Sequence, residues 1–325
     1  MARARTKNRH LPQRVYISRG FYSYVDINNK WHKLGKTLPE AMVAWTKLID
    51  RPATVCTMNQ LFDRYMFEVA PKKSQRTYKD NQREVMNLRV YFGEMSPEDI
   101  DPTVIYQYMD IRSTKAPIRA NREKSLLSHV FSMAIRWGIV KDNPCRNVKR
   151  NPEKPRDRHI EDWEYKAVWN IAPELIKAAM DFARLTGQRI GDILRVKLSD
   201  ITEDGVRIDQ GKTGKKLLIE WSDMLRKCVN TARLLPRPIR GLYLFCNRFG
   251  QPYTSSGFKT LWQRTMTKAI QEGVLTERFT FHDIRAKASS DIKSTRHASE
   301  LLGHASESMT KKTYRRGVTK VKPSR

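Results

Sequence analysis

The stretch LLGHASESMTKKTYRRG, residues 301–317, starts like the end of a packed helix and finishes as a cluster of positive charge. Leu301 and Leu302 precede Gly303, the residue type that most readily ends a helix, and His304 follows it. Ten residues after that histidine, Tyr314 sits among Lys311, Lys312, Arg315 and Arg316. A phenol ordinarily ionises at about pH 10, and nearby cations favour the ionised form. The crowding therefore predicts a tyrosine that gives up its proton easily and can act as a nucleophile.

Three stretches upstream supply partners for it. RFTFHDIRAKASSD, residues 278–291, sets His282 and Arg285 on one helix face, so an imidazole and a guanidinium can meet one anion together. LTGQRIGDILRVKLSDI, residues 185–201, predicts a helix after Gly187 with Ile190, Ile193, Leu194 and Leu198 as its apolar face. Arg189 then falls in the first turn, where amide N–H groups and the positive helix end suit a phosphate. Asp192 lies on the same face and is placed to orient it. An ordinary helix-end arginine paired with Asp192 accounts for the same residues.

DGVRIDQGKTGKKLLIEW, residues 204–221, reads as a β-hairpin with VRI and KLLI as strands and Thr213 and Gly214 in the turn. Its GKT is not a phosphate loop. Five residues separate Gly205 from Gly211 where that motif has four, and a strand rather than a helix follows. Lys212 is left at the hairpin tip, compact, mobile and able to give a proton; in isolation it reads as a solvated lysine.

Together these side chains describe one reaction. Arg189 and Arg285 neutralise the nonbridging oxygens of a phosphodiester as charge builds. Tyr314 attacks phosphorus and forms a covalent phosphotyrosine. His282, His304 and Lys212 handle protons, from the phenol and to the departing 5′ oxygen. With no carboxylate cluster and no His/Cys set in the sequence, no metal or other cofactor is expected.

Composition points to the same substrate. Lysine and arginine number 62 against 34 acidic residues, a formal +28 over 325 residues. Self-repulsion of that size calls for a polyanion, and nucleic acid is the obvious one. The excess is spread along the chain, with 11 basic against 3 acidic side chains in residues 1–55, 17 against 11 in 56–150 and 34 against 20 in 151–325. No apolar run of about 18 residues is present, so no membrane span is expected, and the basic N-terminus lacks the apolar core of a secretory signal. Cys56, Cys145, Cys228 and Cys246 are too dispersed for a zinc finger or disulfide scaffold and fit reduced thiols in a cytoplasmic protein.

The chain reads as multidomain α+β. Residues 1–55 open with a basic arm, Arg3, Arg5, Lys7 and Arg9, followed by alternating strand-like runs around DINN and a helix capped by Thr37. Residues 56–150 carry helical periodicity throughout, with Thr57 and Asp101-Pro102 as starts and Gly93 and Gly138 as stops, and form a bundle of about four helices. His129 falls inside that periodicity and reads as structural. A proline-rich, basic linker over 151–158 leads to a mixed α/β domain, residues 159–325. In that domain Tyr243 and Tyr253 read as core.

The series Arg189, Lys212, His282-x-x-Arg285, His304, Tyr314 resembles the tyrosine recombinase family, and TGQRIGDILRVKLSDI, FTFHDIRAKAS and LLGHASESMT…Y are similar to its signature boxes in order. The N-terminal LPQRVYISRGFYSYVD…KLGKT is similar to the arm-binding domain of lambda-type phage integrases. The resemblance implies an arm-binding domain over 1–55, a helical core-binding domain over 56–150 and a catalytic domain over 159–325 with a C-terminal tail. It also implies four protomers on double-stranded DNA, at core and arm sites, exchanging strands through a Holliday junction for integration and excision. A DNA-bending host factor and an excisionase are the implied partners, and the bacterial nucleoid the implied location. On the family pattern Arg189 and Arg285 are the catalytic arginines, Lys212 the hairpin lysine, His282 and His304 the histidine positions and Tyr314 the nucleophile. Lys311, Lys312, Arg315, Arg316 and the N-terminal arm are expected on DNA. His304 and Tyr314 stand one residue further apart than is usual in the family. One residue rotates a helical side chain by about 100°, so MTKKTY must hold a loop or bulge that absorbs it. The resemblance further implies that the core-binding and catalytic domains close as a clamp on DNA. A type IB topoisomerase shares this chemistry, and a DNA-binding regulator without catalysis shares the clamp; formation of a covalent protein–DNA species separates the last from the others.

Overall fold

The computed structural model describes residues 11–26, 29–48 and 57–316. The expected basic arm (Arg3, Arg5, Lys7 and Arg9), Cys56 and the tail after Arg316 lie outside the described residues. The chain divides into two compact units, residues 1–153 and 154–325.

The first unit begins with an antiparallel sheet in the order β1 (Val15–Ser18), β2 (Phe21–Val25), β3 (Trp31–Gly35). Arg19 and Gly20 join β1 to β2 with positive φ at both positions, the twist that a two-residue hairpin favours. Helix α1 (Leu38–Leu48) packs on this sheet around Leu11, Val15, Leu34 and Ala41. Thr37 and Glu40 cap it reciprocally through side chain and backbone N–H.

A separate core in the same unit is built by α2 (Met58–Glu68), α3 (Gln75–Phe92), α4 (Pro102–Ser113) and α5 (Pro117–Arg136). The starts follow the capping residues: Thr57 with Gln60 for α2 and Asp101 accepting the Val104 N–H at 2.9 Å for α4. The apolar positions of α5, Leu126, Leu127, Val130 and Ala134, are buried as their spacing predicts. His129 Nδ1 and the Tyr65 hydroxyl share a 2.6 Å hydrogen bond, and the Lys73 ammonium donates to the same hydroxyl at 2.6 Å.

The second unit contains α6 (Asp162–Ile171), α7 (Glu174–Thr186), α8 (Ile190–Ile193), a hairpin of β4 (Gly205–Asp209) and β5 (Lys216–Glu220), α9 (Asp223–Leu234), α10 (Ser255–Gln271), α11 (Phe281–Asp291), α12 (Thr295–Leu302) and α13 (Glu307–Met309). Its core draws on α6, α7, α9, α10 and the inner face of the hairpin. The strand between β-turn residues matches the sequence reading, with Ile208 opposite Leu217 and Asp209 opposite Lys216. Among the described residues no helix is long and apolar enough to cross a membrane.

One helix is shorter than its sequence predicts. The apolar residues 190–198 do not form a single helical face: α8 stops at Ile193, and Leu198 is more than a third exposed. The chain leaves the helix to bridge residues 242–244, with Leu198 N–H donating to the Leu242 carbonyl and Leu244 N–H to the Val196 carbonyl, each at 2.8 Å. A strand-like bridge competes with helix continuation for the same backbone groups, and here it wins. Tyr243 belongs to this bridge, opposite Lys197, and not to the core assigned from sequence.

Gly187 ends α7 in the left-handed conformation, φ +64°, and a Cβ there would stand 2.9 Å from Leu302 Cδ2. A Gly187→Ala protein should therefore lose about 1–2 kcal/mol or more of stability, read from denaturant midpoints, because both the backbone conformation and the packing resist the methyl group.

Candidate active site

Helix α11 begins with a capping box, Thr280 N–H and hydroxyl both donating to Asp283 Oδ2 at 2.7 and 2.8 Å. This fixes the helix start and so the direction of His282 and Arg285 one turn in. Arg285 is 1% exposed. Its Nη1 donates to the Gly187 carbonyl at 2.6 Å, and its Nη2 donates to the Leu302 carbonyl at 2.8 Å and to His304 Nε2 at 3.0 Å. Its Nε, also buried, has no hydrogen-bond partner among the described residues. Burial first, then the charge of Arg189, pulls its pKa down to about 10, which leaves it charged at neutral pH.

His304 follows the left-handed Gly303 (φ +68°) that ends α12. A guanidinium can only donate, so Nε2 of His304 carries the lone pair and the ring proton sits on Nδ1. From there it is donated to Thr310 Oγ1 at 2.7 Å, inside a buried pair. Burial, followed by Arg285, Arg189 and Lys215, lowers the His304 pKa to about 4. It is thus a neutral acceptor at physiological pH.

Tyr314 closes a π-helical turn, Thr310–Tyr314, in which the Arg315 N–H reaches back five residues to the Thr310 carbonyl at 3.0 Å. Such a turn holds one residue more than an α-turn, and it takes up the extra residue between His304 and Tyr314. The phenol ring packs on Ala286 and Leu302. Its hydroxyl lies 3.4 Å from His282 Nε2, its ring centroid 4.8 Å from that of His304 and 5.1 Å from the Arg285 guanidinium carbon. His282 keeps solvent access, yet desolvation and then Arg285 lower its pKa from the ordinary histidine value, against the opposing pull of Asp283.

The four cations adjacent to Tyr314 in sequence are disposed differently from one another. Lys311 and Lys312 are exposed. Arg315 binds the carbonyls of Ile292 and Lys293. Arg316 is buried against Asp283 at 2.6 Å and also donates to the Arg158 carbonyl. The last two therefore fasten the π turn to its surroundings. Arg285, distant in sequence, is the cation set against the phenol ring. Asp283 is held below the ordinary carboxylate range because Thr280, Arg316 and Arg156 outweigh the upward effect of its burial.

Arg189 occupies the N-cap of α8 in an extended conformation, one position before the first turn. Its Nη1 donates to Gln210 Oε1 at 3.3 Å and stands 4.0 Å from Asp192, the carboxylate expected to orient it. Asp192 bonds Arg195 at 2.6 Å and the Gly211 N–H at 3.0 Å instead. Lys212 is exposed in the loop between β4 and β5, and no hydrogen bond or ion pair joins it to the other expected site residues among the described residues. The fold thus brings together Arg285, His304, His282 and Tyr314, carries Arg189 nearby, and leaves Lys212 on a loop.

Residues 161–320 match the model of the phage integrase family. The chain belongs to that family. It is a site-specific tyrosine recombinase. The integrase of Escherichia phage HK022 is 28% identical over 342 residues, covering 95% of each chain, and the integrase of Escherichia phage lambda is 26% identical over 347 residues, again 95% of each. Among solved structures, a lambda integrase dimer bound to a COC′ core site is 25% identical with a TM-score of 0.72, over 97% of this chain and 99% of that one. A lambda integrase tetramer bound to a Holliday junction has the same fold, with a TM-score of 0.71 at 24% identity.

Sequence reasoning missed the neutral residues of this recombinase site. Thr310 and Gln210 are uncharged and weakly reactive, so nothing in composition marks them. Their signal is position: Thr310 stands inside the histidine–tyrosine interval, and Gln210 two residues before Lys212.

Removing the Thr310 hydroxyl leaves the His304 Nδ1 proton buried without an acceptor. Thr310→Val should therefore slow strand cleavage about tenfold or more, and Thr310→Ser should restore most of the rate; equal rates for all three proteins would exclude this role. The His304 pKa has a second consequence. Its folded value, about 4, lies below the ordinary histidine value of about 6.5, so the unfolded chain binds the proton more readily and stability falls as pH drops from about 6.5 to 4. His304→Gln should flatten that part of a plot of unfolding free energy against pH, while leaving the contribution of His282, which has the same sign.

Proposed function

We propose that this chain is a phage integrase that cuts and rejoins DNA through Tyr314 and a 3′-phosphotyrosine. The observation that carries the reading is the placement of the Tyr314 hydroxyl 3.4 Å from an imidazole nitrogen, beside a buried guanidinium whose Nε has no partner among the described residues. Arg285 keeps its full charge because its hydrogen bonds go to two carbonyls and a neutral ring. A scissile phosphate supplies the missing acceptor, and Arg189 meets it from the other side.

In the forward step the Tyr314 oxygen forms a bond to phosphorus, and the bond from phosphorus to the 5′ oxygen breaks. His282 takes the phenol proton, and Lys212, brought in by its loop, gives a proton to the leaving oxygen. The phosphotyrosine conserves the energy of the broken bond, so the reverse attack by a 5′ hydroxyl rejoins DNA. His304 orients Arg285 in the free protein.

The architecture supports the further assignments. Residues 1–55, with the small sheet, bind arm sites; residues 56–150 and 159–325, joined by the linker 151–158, bind the core site. Four protomers on two sites exchange strands through a Holliday junction, in integration and in excision. A DNA-bending host protein and an excisionase assist, in the bacterial cytoplasm at the nucleoid. Exposed Lys311 and Lys312 contact DNA near the nucleophile.

The test is a nicked duplex carrying the junction where the element that encodes this chain meets its flanking DNA, incubated in EDTA and run on a denaturing gel. The parent should give a denaturant-resistant protein–DNA adduct and Tyr314→Phe none. Tight binding with no adduct from the parent would support the non-catalytic regulator in its place, and relaxation of supercoils without site preference would support a topoisomerase.

A further inference from the structure

We propose that Gln210 is the positioning residue that couples the Lys212 loop to the two arginines, an inference that rests on the roles given above to Tyr314, Lys212, Arg189 and Arg285. Gln210 directly follows β4, at the root of the loop, and is 1% exposed. Its side-chain amide has two donor hydrogens and two acceptor lone pairs. The structure occupies all four. Nε2 donates to Gln188 Oε1 at 2.8 Å and to the Leu302 carbonyl at 2.9 Å. Oε1 accepts from Arg189 Nη1 at 3.3 Å and from the Thr213 hydroxyl at 2.7 Å.

Each partner leads to a different part of the site. Arg189 is held directly. The Leu302 carbonyl is the one that also accepts from Arg285 Nη2, at 2.8 Å, so one oxygen joins Gln210 to the second arginine. Thr213 is the chain neighbour of Lys212, and its hydroxyl bond draws the loop tip back to its root. Gln188 in turn donates to the carbonyls of Thr186 and Leu301, at 2.8 and 2.7 Å, next to the helix ends that frame Arg285. The Gln210 backbone closes the same loop, its N–H donating to the Lys215 carbonyl at 2.9 Å and its carbonyl accepting from Gly214 at 2.8 Å.

The identity of the residue follows from these bonds. A glutamate would set a carboxylate oxygen against the oxygens of Leu302 and Gln188 and would neutralise Arg189. An apolar residue would strand Gln188 Oε1, take the acceptor from Thr213 and release Arg189. A Cβ at Gly303 would stand 2.6 Å from Gln210 Nε2, so the glycine that ends α12 also makes room for this amide. Lys212 is exposed here, and the Thr213–Gln210 bond is a side-chain link from its loop tip to the group that holds Arg189. That bond sets where the loop starts when Lys212 swings to the leaving oxygen.

The experiment compares two nicked junction duplexes, one natural and one with sulfur replacing the scissile 5′ oxygen. A thiol ionises at about pH 8.5, far below an alcohol, so sulfur leaves as a thiolate without a donated proton. Tyr314 bonds to phosphorus and the phosphorus–sulfur bond breaks, with no call on Lys212. Thr213→Ala should cleave the natural duplex about 10- to 100-fold more slowly than the parent, part of the roughly 10²–10⁴-fold that a general acid contributes, and the sulfur duplex at the parental rate. Thr213→Ser should recover the natural reaction. Gln210→Met should be slow on both duplexes and slowest on the natural one, because it loosens Arg189 as well. A parental rate for Thr213→Ala on the natural duplex, or an equal deficit on both duplexes, would overturn the proposal. Thr213 lies at the exposed loop, so its variant reads out even where Gln210→Met does not fold. A parent that forms no adduct on either duplex would instead remove the assignment of Tyr314 and its partners.

Discussion

A positive charge buried without a carboxylate is the constraint on which the second unit turns. Sequestering Arg285 from water costs free energy unless its hydrogens are bonded and its charge is balanced. Here the bonds are made by neutral groups, two carbonyls and an imidazole nitrogen. Both carbonyls belong to helix ends, Gly187 closing α7 and Leu302 closing α12. The C-terminus of a helix carries partial negative charge, so two helix ends pointing at one guanidinium offset its burial without cancelling it. The left-handed glycines at 187 and 303 are what permit both helices to stop there. Packing, backbone conformation and electrostatics thus meet at one side chain, whose charge is left uncancelled by its hydrogen-bond partners.

The acids near this site fit the same logic because they are spent elsewhere. Asp283 has the Thr280 cap, Arg156 and Arg316 as partners, and Asp192 has Arg195 and the Gly211 N–H. In each case a carboxylate fixes a backbone segment that carries a site residue. Asp283 fastens the start of α11 to the residues after Tyr314, and Asp192 fastens α8 to the loop of Lys212. Neither lies within ion-pair distance of Arg285, and Arg189 meets Asp192 only at 4.0 Å. Arg156, Arg195 and Arg316 hold the frame through carboxylates, whereas Arg285 is bonded only by neutral groups and Arg189 by the Gln210 amide, which suits these two to the phosphate role proposed for them.

What the sequence made legible were the residues whose chemistry names them. Histidine, arginine and tyrosine at helical and boxed spacings led to Arg285, His282, His304 and Tyr314, and turn and cap residues led to most element boundaries. Two kinds of information were out of reach. One was which of several equivalent charges lies near the phenol, since Arg315 and Arg316 look like surface cations in the sequence and only the fold shows their carbonyl and carboxylate partners. The other was any competition between distant backbone groups. The helix expected over 190–198 is cut short by a bridge to residues 242–244, and no local pattern encodes a partner more than forty positions away.

The two histidines show how environment divides roles that sequence leaves equal. Both have pKa values below the ordinary one, with desolvation as the first cause. His304 has both ring nitrogens committed, one to Arg285 and one to Thr310, inside a buried site. Its proton is fixed by geometry, and it serves to hold the guanidinium. His282 keeps contact with solvent and meets the Tyr314 hydroxyl at 3.4 Å, a distance that a small rotation of the phenol closes. A group that must accept a proton and then release it needs an exit for that proton, and only the solvent-facing ring has one. The π turn makes this division possible: with one residue more than an α-turn, it seats Thr310 against His304 and Tyr314 against His282 within a single span of five residues.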